Sequence, residues 1–168
     1  MPRVRSSKAP ARPALSALAR ELRKRRPFDS PAQEAYLNII RTAAVLANDA
    51  ERLLRPHGLS ASTYNVLRIL RGAGEGGMAC SQVGAQMVAR VPDVTRLIDR
   101  LERSGLVERA RTSADRRVVT TRITPAGLRL LAALDGPVLA LHEAQLGHLP
   151  AKDLRALSDL LARARKAE

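Results

Sequence analysis

Val94-Thr95-Arg96-Leu97-Ile98-Asp99-Arg100-Leu101-Glu102-Arg103-Ser104-Gly105-Leu106-Val107-Glu108-Arg109 is the stretch that decides how this sequence folds. Val94, Leu97, Ile98 and Leu101 recur at the spacing of an amphipathic helix that buries one stripe. Asp93, Thr95, Arg96, Asp99, Arg100 and Arg103 make up its other, charged face. Pro92 stands where that helix opens and Ser104-Gly105 where it closes, glycine being favoured just past a helix end. Residues 106–111 and 117–123 are then rich in β-formers and predict the two arms of a hairpin, with an arginine-bearing tip at 112–116.

Upstream, residues 81–87 predict a short helix with Cys80, Val83 and Met87 on one side. Helix, turn, helix with a basic outer face, then basic hairpin is the order of a winged helix-turn-helix. In that arrangement the second helix enters the major groove and the hairpin reaches a neighbouring groove. Ser60 caps a preceding helix carrying Val66, Leu67 and Leu70, with Leu59 and Tyr64 placed as a hydrophobic staple. That helix ends in Gly72-Ala73-Gly74-Glu75-Gly76-Gly77, which reads as a flexible turn, since it lacks the spacings of a phosphate-binding loop. Ser30-Pro31-Ala32-Gln33 starts a long helix with apolar residues from Tyr36 to Leu54, stopped by Pro56-His57-Gly58. After the hairpin, Thr124-Pro125 opens a helix toward Leu146 with a kink expected at Gly136-Pro137. Pro150 starts a last helix bearing Leu154, Leu157, Leu160 and Leu161, a stripe too short to bury against its own chain, which implies self-association. The fold class is mainly α with a small β-wing.

Charge narrows the function. The 168 residues carry 29 Lys+Arg against 16 Asp+Glu, a net charge of +13. Residues 1–27 hold nine basic groups and one acid, and residues 90–122 hold nine against five, so the excess sits in a tail and in the predicted helix and hairpin. Such a balance implies a polyanionic partner. Aromatics are only 2%, which argues against single-strand binding by base stacking. The single cysteine, Cys80, forms no internal disulfide and fits a reducing cytoplasm; it reads as a buried structural thiol. His57, His142, His148 and Cys80 have no metal-ligand spacing, and no catalytic motif occurs, so neither a cofactor nor an enzyme is indicated. No apolar run approaches the ~18 residues of a membrane span. With four prolines in positions 2–27, the tail reads as disordered to about Pro13, with Ala14 to Arg26 as a short basic helix. It also has the composition of an organelle transit peptide.

The chain resembles the MarR family of bacterial transcriptional regulators. The residues that carry the likeness are Val94 to Glu102, Gly105-Leu106-Val107, Asp115-Arg116-Arg117, and Ile123-Thr124-Pro125-Ala126-Gly127, over roughly residues 30–165. The resemblance implies N- and C-terminal dimerisation helices at 30–55 and 125–168 around a winged helix-turn-helix at 59–124, with residues 1–29 as a basic extension. It implies a cytoplasmic, nucleoid-associated homodimer that binds a pseudo-palindromic operator in double-stranded DNA, as a repressor released by a small effector such as an aromatic or phenolic anion. The DNA-binding residues it points to are Ser81, Gln82, Arg90, Asp93, Thr95, Arg96, Arg100, Arg111, Asp115, Arg116 and Arg117. Asp115 would pin Arg117 across the hairpin, leaving Arg111 and Arg116 to probe the minor groove. Tyr36, Arg41, His57 and Asn65 fall in the segments that line the family's effector cavity. Pro92 and Asp93 depart from the Ser or Thr that many members carry, which puts base preference in question. The alternative function is a nucleoid-type architectural protein without sequence preference or effector.

Overall fold

The computed structural model describes residues 14–111 and 119–166, the Arg111 side chain excepted. The chain divides into two compact units, Met1–Val45 and Leu46–Glu168, and the division falls inside a long helix. That helix, α2 (Pro31–Leu54), buries Leu54 alone, at its last position.

In the first unit, α1 (Ala17–Glu21) is five residues long, shorter than the basic helix expected over 14–26. Ser16 caps its start by accepting the Ala19 N–H at 3.3 Å. It ends early because the chain turns back on itself. Lys24 N–H donates to the Ala19 carbonyl at 2.9 Å and Arg23 N–H to the Arg20 carbonyl at 3.0 Å, with Arg23 in the left-handed region at φ 52°. The start of α2 is the expected cap: Gln33 N–H donates to Ser30 Oγ at 3.1 Å, while Gln33 Oε1 accepts the Asp29 N–H at 3.0 Å.

The second unit holds the core. α3 (Ala61–Ala73) opens with a reciprocal pair, Thr63 N–H to Ser60 Oγ and Ser60 N–H to Thr63 Oγ1, at 3.2 and 2.8 Å. Its Val66, Leu67 and Leu70 are fully buried against Val83, Ile98, Leu101, Val107, Leu131 and Leu134. These partners come from α4 (Cys80–Gln86), α5 (Val94–Arg103), β2 (Val107–Arg111) and α6 (Pro125–Leu146). β2 pairs antiparallel with β3 (Val119–Ile123), Val107 opposite Ile123 and Arg111 opposite Val119. α7 (Ala151–Ala164) follows α6.

Three details correct the sequence reading. First, the glycine run is not merely a flexible turn: Gly74–Gly76 forms a 3₁₀ turn and leads into β1 (Met78–Ala79), which pairs with β3 to give the order β1-β3-β2. Gly77 makes this possible, with φ 67° and a position where a Cβ would lie 2.6 Å from the Thr121 carbonyl oxygen. Second, α5 begins after Asp93 rather than at Pro92, because the Asp93 side chain caps the helix by accepting the Arg96 N–H in its first turn. Third, α6 runs helical through Gly136-Pro137, since Leu131 and Leu134 before them and Val138 after them are buried in one core.

The Thr124-Pro125-Ala126-Gly127 motif is a corner. Thr124 Oγ1 donates to the Gly105 carbonyl at 2.7 Å and accepts the Gly127 N–H at 3.1 Å, tying the end of α5 to the start of α6. A Cβ on Gly127 would lie 2.4 Å from the Leu106 carbonyl oxygen and 2.7 Å from Ile123 Cγ1. Gly127→Ala should therefore destabilise the protein by about 1–3 kcal/mol in denaturant titration, the usual cost of overpacking. A second tie joins α3 to α6, where Arg71 donates to both Asp135 oxygens at 2.8 and 2.9 Å. The Arg71 hydrogen bond holds the Asp135 carboxyl below its ordinary range. Its contribution to stability is then complete above the unfolded value of about 3.9 and is lost as pH falls through the lower folded value. Asp135→Asn should melt below wild type at neutral pH, and the gap should close in acid.

Candidate nucleic-acid interface

The candidate interface is built from α4, the turn after it, α5 and the arms of the hairpin. Ile98 and Leu101 are buried and Val94 and Leu97 half-buried, so the opposite side of α5 is turned to solvent. Thr95, Arg96 and Arg100 are exposed there, and the Arg96 side chain keeps 87% of its accessible surface. Asp93 accepts the Arg96 N–H at 3.0 Å on Oδ1, and its Oδ2 meets Arg96 Nε at 2.9 Å. Asp93 is thus the N-cap of α5 and a steering group for Arg96. Thr95 Oγ1 lies 3.5 Å from Cys80 Sγ, linking α5 to the first turn of α4. Cys80 is half-buried at that contact rather than fully enclosed.

Ser81 and Gln82 are exposed on α4, and Arg90 is exposed in the turn. Gln82 has a structural duty as well, its Oε1 accepting the Ala79 N–H at 3.1 Å at the head of the helix. The turn is held from α3: Asn65 Oδ1 accepts the Val88 N–H at 2.9 Å. Asp115, Arg116, Arg117 and the Arg111 side chain lie outside the described residues.

Sequence reasoning missed what joins α5 to the hairpin. Arg109 on β2 donates through Nη2 to Asp99 Oδ1 at 2.5 Å and through Nη1 to Glu102 Oε2 at 2.6 Å, while its own N–H donates to Glu102 Oε1 at 3.2 Å. Its side chain is only 28% exposed. Hydrogen bonding to Asp99 leads in raising the guanidinium above its ordinary pKa, with the Glu102 charge adding to it and partial burial opposing. Asp99 and Glu102 stand three apart and share one face of α5, and that spacing was the available signal. The network sets one cation against two acids and so halves the negative charge they would turn on a polyanion. With Asp93 turned to Arg96, the exposed face presents cations.

The four residues expected around an effector fall two in each compact unit. Arg41 Nε is bonded to Glu21 Oε2 at 2.8 Å, and Tyr36 is 63% exposed, both in the first unit. In the second unit His57 is exposed in the 3₁₀ turn Arg55–His57, and Asn65 lines a cleft. That cleft, about 260 Å³, is bounded by Ala61, Ser62, Tyr64, Asn65, Met87, Val88 and Ala89, so it abuts the turn before α5. Among the described residues no cluster of His, Cys, Asp or Glu suits a metal ion, and no helix is long and apolar enough to cross a membrane. If Arg109 sets the seat of α5, Arg109→Met should speed amide exchange across residues 99–109 while the global melting midpoint moves little. Protection left unchanged there would disprove that role.

The MarR family model matches residues 59–119, from the start of α3 to the start of β3. A MarR transcription factor from Planctomyces limnophilus has a similar structure, with TM-score 0.63 and 46% identity, covering 80% of this chain and 98% of that one. YwoH, an HTH-type transcriptional regulator of Bacillus subtilis, is 30% identical over 122 residues, which is 73% of this chain and 87% of that protein. IacR, an HTH-type transcriptional repressor of Pseudomonas putida, is 34% identical over 79 residues, 47% of this chain and 46% of its own length. The chain belongs to the MarR family, as a DNA-binding transcriptional regulator of winged helix-turn-helix fold and not an enzyme.

Proposed function

We propose that this chain is a repressor that binds a pseudo-palindromic operator as a homodimer and lets go when a small aromatic effector binds. The observation that carries the reading is the outward face of α5, where Thr95, Arg96 and Arg100 are exposed above a buried apolar stripe. A helix seated in this way enters a major groove, where arginine recognises the guanine edge. Arg90, Ser81 and Gln82 would hold phosphates beside it, and Arg111, Asp115, Arg116 and Arg117 would form the minor-groove contact of the wing. The repressor half of the proposal draws on the likeness to IacR.

The homodimer reading draws on apolar surface that the protomer leaves open. In the first unit Tyr36, Ile39, Ile40 and Val45 are exposed along α2, and in the second Leu139, Leu157 and Leu160 are exposed on α6 and α7. Exposed apolar runs on helices mark surfaces that associate. A two-fold dimer then presents two α5 helices to two half-sites.

The cleft between α3 and the turn is the effector site in this reading. Tyr64 and Met87 offer an apolar bed for a ring, and Arg68, which donates to the Tyr64 hydroxyl at 3.1 Å, is a cation in contact with the lining. An occupant that takes Asn65 away from the Val88 N–H would loosen the turn that sets the start of α5. Cytoplasmic, nucleoid-associated placement follows from the same proposal.

Selection from a random duplex pool tests it. Enriched sites should contain two inverted half-sites about one helical turn, 10–10.5 bp, apart or a multiple of that. Arg96→Ala should cost about 1–3 kcal/mol on the selected site and relax preference at one position. Arg109→Met should weaken that site at least about tenfold, roughly 1.4 kcal/mol. No enrichment over random DNA would identify an architectural binder instead.

A further inference from the structure

We propose that the turn from Arg20 to Arg26 is a second DNA-contacting element, a basic knuckle that grips duplex phosphates beyond those held by the winged unit. The inference rests on the DNA-binding reading above. Arg20, Arg23, Lys24, Arg25 and Arg26 place five cations in seven positions. The one acid among them, Glu21, is bonded to Arg41 at 2.8 Å and does not offset them.

Five like charges repel one another, so a turn that crowds them must be pinned. Arg20 Nη1 donates to the Leu15 carbonyl at 2.5 Å, and the Lys24 ammonium lies 4.8 Å from the centre of the Phe28 ring. The backbone closes through the Lys24-to-Ala19 and Arg23-to-Arg20 hydrogen bonds. That closure puts Arg23 at φ 52°, the left-handed conformation glycine adopts without strain. An arginine here works against backbone ease, and the consequence is an exposed guanidinium at the crest with Arg25 and Arg26 exposed beside it.

Duplex DNA, with one charge per ~1.7 Å of axis, is the polyanion this density fits, and the arginine fork matches phosphate. Stacking on single strands lacks aromatic platforms, with Phe28 already covered by Lys24. An anionic membrane is the weaker fit, because α1 is too short to lay an apolar face into lipid.

Arg23→Gln/Arg25→Gln/Arg26→Gln in the full-length protein tests the proposal, with Arg20 and Lys24 left to hold the turn. Each lost phosphate contact lowers the slope of log affinity against log salt by about 0.9, so the slope should fall by roughly 1 to 2.7 per chain. The sequence preferred in selection should not change. Lys152→Gln/Arg155→Gln/Arg163→Gln removes the same charge from α7 and should leave the slope nearly intact. Arg23→Gly alone should keep or raise the melting midpoint while still lowering the slope. An unchanged slope in the knuckle variant, or an equal fall in the α7 variant, overturns the proposal. So does knuckle-dependent binding to equimolar phosphatidylcholine–phosphatidylserine vesicles without any slope change on DNA. Random DNA reports the slope as well, so loss of sequence preference in wild type would count against the operator reading and not against the knuckle.

Discussion

Ile98 and Leu101 have nowhere to go but the core shared by α3, β2 and α6, and that constraint orients the exposed face of α5. Burying Ile98 and Leu101, with Val94 and Leu97 half-buried beside them, along one stripe of a ten-residue helix is worth several kcal/mol. No surface ion pair competes with that. The charged residues of α5 are therefore left on the outside by elimination, and the cationic face is a by-product of how the helix is seated.

Seating by burial sets only the rotation of α5. Its position along its own axis depends on polar groups at both ends. Asp93 closes the N-terminus and directs Arg96, while Thr124 clasps the Gly105 carbonyl past the C-terminus. Arg109 then fastens the side of the helix to the first strand of the wing. The helix and the first strand of the hairpin are tied side to side for that reason. The same seat is reached from α3 by a single hydrogen bond, Asn65 to Val88, next to the cleft. A polar contact beside a cavity is easier to disturb than a buried stripe.

Acidic residues near a DNA-binding face are costly unless they are paired. Asp93 is paired with Arg96, and Asp99 and Glu102 share Arg109, so none of the three carboxylates stands without a cationic partner. In the first unit Glu21 is paired with Arg41 in the same way.

The sequence by itself determined the elements whose apolar period is unbroken: α3, α5, the hairpin arms, and the caps at Ser30, Ser60 and Thr124. These depend on near neighbours along the chain, and local hydrogen bonds and helical periodicity suffice to read them. Tertiary structure decided the rest, because the partners are far apart in sequence. The two-residue strand Met78–Ala79 has no period to detect and exists because Thr120 and Thr121 lie alongside it. Helix α6 crosses Pro137 because the burial of Leu131 and Leu134 before it and Val138 after it outweighs the lost hydrogen bond. The sequence put Asp99 and Glu102 on one face of a helix but left their partner open. Only the antiparallel return of β2 past α5 brought the Arg109 guanidinium between them.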